Sequence, residues 1–182
     1  MRRRRSRRES GFTLLEVLVV LVIIGIITSM AVVSTGVLGR DHEIQEEARR
    51  FVAIAGQAHE EAQIEGRDFG LRFDSSGYDF LEFDALNQRW LPIGGDPLLR
   101  ARALPDGVRL ELLLEDRQIE LKPREAPTEQ RPIEPQVLLY GSGELVPFEL
   151  RLRREGTDNV VGVVGAVEGK IDLKPAGDDR VR

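Results

Sequence analysis

Glu16 is the one charged residue between positions 12 and 38, and six arginines stand among the eight residues that open the chain. A carboxylate at membrane depth costs about 2.5–3.5 kcal/mol on insertion scales. The chemistry this placement offers is charge pairing, because a buried charge is tolerable when an opposite charge meets it. The other reading is that Glu16, four residues into the apolar run, snorkels to the interface.

No other constellation competes with it. The chain has no cysteine, which excludes a disulfide framework, a thiolate zinc site and a cysteine nucleophile. His42 and His59 stand 17 positions apart, too far for a shared metal on one helix, and both are expected on a solvated face. Asp68-Phe69-Gly70 is spelled like the kinase magnesium motif but lacks that motif's companions. Gly141-Ser142-Gly143 is not a nucleophile elbow, and Gly162, Gly165 and Gly169 lack the dinucleotide spacing and a following helix. Asp74-Ser75-Ser76-Gly77-Tyr78-Asp79 has oxygen donors for weak calcium binding, yet Asp and Ser are ordinary turn residues. Nothing here supports an enzyme, a metal or a cofactor, and no phosphate loop occurs.

The elements that must position Glu16 follow from charge and period. Residues 1–11 carry six Arg and one Glu, while the remainder carries 20 Lys+Arg and 30 Asp+Glu, a body at -10. So acidic a body is a poor nucleic-acid ligand, since phosphate contacts dominate that affinity. The basic arm beside an apolar run reads as a cytoplasmic anchor under the positive-inside rule, with a loose polybasic tail as the other possibility. Residues 12–38, 27 in all, span about 40 Å as a helix against ~30 Å of hydrocarbon. The run is too long for a conventional secretory signal, and no Ala-x-Ala exit follows it.

Beyond Arg40, Ile44, Ala48, Phe51, Ala55, Ala58 and Ala62 recur at steps of four and three, the stripe of an amphipathic helix. Glu43, Glu46, Glu47, Arg49, Arg50, Glu60 and Glu61 form its expected solvated face, and Gly66 is a stop signal. One helix from about residue 12 to 65 is expected, with a break near Gly36 and Gly39 as the alternative. From Arg67 the period changes to two, in "FGLRF", "YDFLEF", "VRLELLLE", "QIELK", "VLLY" and "PFELRLRRE". Asp74-Ser75-Ser76-Gly77 is a hairpin turn, and residues 159–174 form a closing hairpin turning at Glu168-Gly169. Residues 123–135 hold four prolines and read as an exposed, mobile loop, while residues 91–132 otherwise carry little signal. Phe148, Leu150 and Leu152 should face the core, with Glu149, Arg151 and Arg153 opposite. The fold class is α+β: a long N-terminal helix, membrane-spanning in its first half, packed on an antiparallel β-sheet or β-sandwich head.

"SGFTLLEVLVVLVIIGI" (residues 10–26) resembles the class III signal of type IV pilins and pseudopilins. The resemblance implies cleavage by a prepilin peptidase after Gly11, N-methylation of Phe12 as the mature terminus, and a filament-assembly role for Glu16, the fifth mature residue. Gly11, without a Cβ, would let extended backbone enter a protease cleft closely. "PQVLLYGSGELVPFELRL" (residues 135–152) is similar to the type II secretion minor pseudopilin H family. Its Ser142-Gly143-Glu144 reads as a tight turn, diagnostic and not chemical.

The segments expected are a leader (1–11), a transmembrane helix (12–38), its amphipathic continuation (39–66), a periplasmic β-rich head (67–175) and a tail (176–182). The resemblance implies a single-pass inner-membrane protein with a cytoplasmic N-terminus, later moved into a pseudopilus near its tip. Its partners would be other minor and major pseudopilins, the prepilin peptidase, the inner-membrane secretion platform and the membrane itself, with no nucleic acid. A minor pilin of a type IV pilus is the alternative, and a single-pass periplasmic binding module that keeps its leader is a third.

Overall fold

The computed structural model describes residues 14–126, 128 and 132–174, with residues 28–41 described by backbone alone. The leader 1–11 and the tail 176–182 lie outside the described residues. The chain divides into two compact units at Arg40/Asp41.

Helix α1 (Leu14–Glu65) is 52 residues long and carries through Gly36 and Gly39, as the expectation of one continuous helix has it, and the alternative break is not found. In the second unit its apolar stripe does what the spacing predicts. Ile44, Ala48, Phe51, Ala55, Ala58 and Ala62 are all buried, joined by Ile54. Small alanines let the helix backbone approach its neighbours, and Phe51 fills the volume between. The helix stops as Gly66 turns to φ +62. Arg67 N donates to Ala62 O (3.1 Å) and Gly66 N to Gln63 O (3.3 Å), which satisfies two orphan carbonyls in a Schellman cap.

The head consists of two antiparallel sheets. Strands β1 (Phe69–Asp74), β2 (Gly77–Asp84), β3 (Arg89–Pro92) and β7 (Val137–Leu139) lie in the order β3-β2-β1-β7, and the short β4 (Arg102–Ala103) pairs with the start of β2. The second sheet runs β10-β9-β8-β5-β6, from β5 (Val108–Leu114), β6 (Arg117–Ile119), β8 (Phe148–Arg154), β9 (Val160–Gly165) and β10 (Ile171–Leu173). The first hairpin closes where expected, with Asp74 opposite Gly77. In the second sheet Leu110 faces Leu152 and Leu112 faces Leu150. All four are buried, as period-two alternation requires.

One core joins the helix to both sheets. Phe51 meets Tyr78 edge-on at 5.1 Å between centroids, Phe73 at 5.7 Å and Phe148 at 6.3 Å. Tyr78 and Phe73 belong to the first sheet and Phe148 to the second, so one helical side chain ties three elements together.

Four strands, β3 to β6, fall within residues 91–132 or at their edge; β5 and β6 lie where period-two segments were read, while β3 and β4 lie where no strand was expected. The described part of the proline-rich loop has no strand and is exposed between residues 122 and 126, as expected. It is nonetheless tied at both ends. Arg124 Nε donates to Asp74 Oδ2 (2.6 Å), while the Gln136 side chain accepts from Phe73 N (2.8 Å) and donates to Phe73 O (3.0 Å).

Candidate functional site

Glu16 sits in the first turn of α1, exposed, among apolar side chains. Gly11 and Phe12, the expected cleavage site and mature terminus, lie outside the described residues. Every large apolar side chain from Leu14 to Ile27 is at least 44% exposed. Soluble monomers rarely present contiguous apolar surface on this scale, and patches of this kind mark contacts with protein or membrane. Among the described residues no helix is long and apolar enough to cross a membrane. The side chains described in this unit end at Ile27.

His59 departs from expectation. It is buried, whereas His42 is exposed as expected. His59 Nε2 donates to Gly143 O at 3.0 Å, because a carbonyl can only accept. The helix is thereby tied to the Ser142-Gly143-Glu144 turn, which is closed by Gly143 N donating to Tyr140 O (3.0 Å) and Tyr140 N to Glu144 O (2.9 Å). The closing hairpin presses on the same place. At Gly169 (φ +89) a Cβ would lie 2.4 Å from His59 Nε2 and 2.5 Å from Gly143 O. The turn is therefore structural, as its sequence implied, and it is the seat of a helix-to-sheet latch.

Glu47 is a second correction. Expected on the solvated face, it is buried, with Oε1 accepting from the Tyr78 hydroxyl (3.2 Å) and Oε2 from Arg50 Nη1 (3.0 Å). Burial pushes the Tyr78 hydroxyl pKa up, and the Glu47 carboxylate adds to it. A proton shared with a buried carboxylate is held tightly, so the pair is a structural tie between helix and first sheet.

The oxygen donors of the first hairpin are also engaged. Asp74 Oδ1 accepts from Ser76 N (2.7 Å) and Ser76 Oγ (2.5 Å), and Arg124 takes its other oxygen. Asp79 receives Arg72 through both oxygens, at 2.9 and 2.6 Å. Arginines thus stand where a cation would have to bind. Burial pushes the Asp74 carboxyl up, but the hydrogen bonds from Ser76 and Arg124 outweigh it and hold the group below its ordinary range.

The prokaryotic N-terminal methylation motif matches residues 6–32. The solved minor pseudopilin EpsH from the type 2 secretion system of Vibrio cholerae superposes with a TM-score of 0.59 at 25% identity, covering 75% of this chain and 99% of that one. Escherichia coli GspH in solution shares the fold, with a TM-score of 0.58 at 21% identity over 78% of this chain and 94% of that one. A helix followed by this antiparallel head defines a pilin-like protein. Type II secretion system protein H of Pseudomonas aeruginosa is 36% identical over 154 residues, 84% of this chain and 87% of that protein. Its Aeromonas hydrophila counterpart is 36% identical over 157 residues, 85% and 86% of the two chains. The chain belongs to the type II secretion system protein H family, and the Vibrio cholerae EpsH structure it resembles is that of a minor pseudopilin. That membership selects type II secretion over the pilus alternative.

Proposed function

We propose that this minor pseudopilin is made as an inner-membrane precursor, cut after Gly11 by a prepilin peptidase, methylated at Phe12, and drawn into a pseudopilus near its tip. Its part is structural, not catalytic: it helps a secretion machine move folded proteins across the outer membrane. Residues 12–38 cross the membrane with the basic leader in the cytoplasm and the head in the periplasm.

The observation that carries this reading is one acid at the fifth position after Gly11 in an otherwise uncharged stretch of 27 residues. Cleavage removes the arginines and creates a cationic amine at Phe12. In a helical filament the Glu16 carboxylate of one subunit pairs with the Phe12 amine of its neighbour. The pair sets axial register, as a single buried polar residue does in a coiled coil. The major and minor pseudopilins then replace lipid around the apolar helix. Intact-mass and N-terminal analysis of protein extracted from its native host's membranes tests the reading. A chain beginning at methylated Phe12 is expected, and a mature chain that keeps residues 2–11 would point instead to a plain single-pass binding module.

A further inference from the structure

A notch of about 310 Å³ opens beside the second half of α1, lined by Glu47 and Arg50 of the helix and by Arg100, Ala101, Arg102 and Ala103 of the segment that forms β4. Its charge is unbalanced: one carboxylate faces three guanidinium groups. Glu47 is satisfied by Tyr78 and Arg50, which leaves an excess of two positive charges. Among the described residues Arg102 Nη2 donates to the Leu98 carbonyl (3.2 Å), and its buried Nε meets no acceptor. Arg100 is exposed and makes no ion pair among the described residues. The guanidinium groups of Arg50 and Arg100 are both exposed and offer an arriving carboxylate the paired, planar donors that arginine supplies.

This cationic notch stands in a body whose overall charge is strongly negative. The acidic counterpart is on the same head. A cavity of about 560 Å³ at the far end of α1 gathers Glu61, Glu65, Glu82 and Asp96 against the single Arg67. Glu61 is held above its ordinary carboxylate range by burial and then by repulsion from Asp96 and Glu65. From Glu47 to Glu61 the axial offset is about 21 Å at ~1.5 Å per residue. Complementary patches offset along an axis suit head-to-tail contacts, which generate open helical filaments where the rotation between subunits does not close a ring.

Deepening the filament reading above, on which it rests, we propose that the Arg50/Arg100/Arg102 notch is a docking site for acidic side chains on the head of a neighbouring pilin-like subunit. A photo-crosslinking residue at Ala101 of the full-length chain, in its secreting host, tests it, with a second crosslinker at Val20 on the apolar helix as control. The expected adduct joins position 101 to a pilin-like subunit through a peptide containing Asp or Glu. Its yield should drop about tenfold in the double variant Arg100→Glu/Arg102→Glu, because like charges then face each other. Arg100→Gln, at an exposed side chain, should lower the yield less and leave the fold intact. An adduct to phospholipid alone would overturn the proposal, as would a yield indifferent to charge reversal, or silence at 101 while Val20 crosslinks to pilin-like neighbours. Silence at both positions would remove the filament reading itself, and this contact with it.

Discussion

Glu47→Ala should destabilise the head by about 1–3 kcal/mol, the cost of leaving a buried partner unsatisfied. The Tyr78 hydroxyl, 3.2 Å from Glu47 Oε1, would lose its acceptor, and Arg50 would lose its carboxylate. Glu47→Gln keeps an oxygen for Tyr78 and should cost less. The single tryptophan, Trp90, packs against Phe83 at 5.1 Å in the first sheet, so its fluorescence can follow unfolding of the full chain in urea. Sequence reading missed Glu47 and His59 for the same reason. Both are polar residues on a helix full of charge, and their burial depends on acceptors or donors 31 and 84 positions away. Local spacing carries no trace of such partners. Acid should weaken the head through other carboxylates. Burial raises the pKa values of Asp74 and Glu149, but Ser76 and Arg124 for the first, and Arg151 and Lys174 for the second, hold them below their ordinary 3.8 and 4.5. A depressed folded-state pKa contributes stability above the unfolded value, lost as pH falls through the folded one. The urea midpoint should therefore decline below about pH 4.5, and Asp74→Asn should flatten part of that decline.

At the level of elements, Phe51 is where helix and both sheets meet, and Phe51→Ala should cost about 3–5 kcal/mol, the range for truncating a buried aromatic. A drop in urea midpoint with an unchanged slope would separate lost packing from a collapsed head. Loss confined to one sheet, read by hydrogen exchange, would contradict a shared core. A smaller change tests the latch. Gly169→Ala places a Cβ against both His59 Nε2 and the Gly143 carbonyl at a backbone φ of +89, so it should cost at least about 1–2 kcal/mol and loosen the closing hairpin. The stripe that buries Phe51 was legible because each of its residues is apolar at steps of three and four, and the pattern needs no partner to be seen. The first and closing hairpins were legible from their turn residues. By contrast, β4 has only two residues, and β3 is a four-residue edge strand that ends in proline. Both exist because β2 offers them a pairing edge, and no periodicity can be read from so few positions.

For the molecule as a whole, the decisive prediction concerns Glu16→Ala. Removing a carboxylate from an apolar stretch lowers the insertion cost by about 2.5–3.5 kcal/mol, so the variant should enter the membrane at least as well as the parent. If Glu16 only snorkels to the interface, nothing further should change. If it receives a neighbour's Phe12 amine, the variant leaves a buried cation without its partner, a loss of about 3–5 kcal/mol in comparable pairs. Incorporation into sheared pseudopili, measured against membrane-bound protein in the same cells, should then fall by more than about tenfold. Glu16→Gln should behave like alanine, since an amide oxygen brings no compensating charge. Equal incorporation of parent and variant would leave the acid without an assembly role, while reduced incorporation with intact membrane levels separates pairing from targeting. That separation matters because the head is unaffected by either substitution: its core lies entirely within residues 44–171. The two compact units thus place different demands on the chain, one for a packed head and one for a greasy helix carrying a single acid. A substitution confined to the greasy helix should alter assembly without altering the urea midpoint of the head.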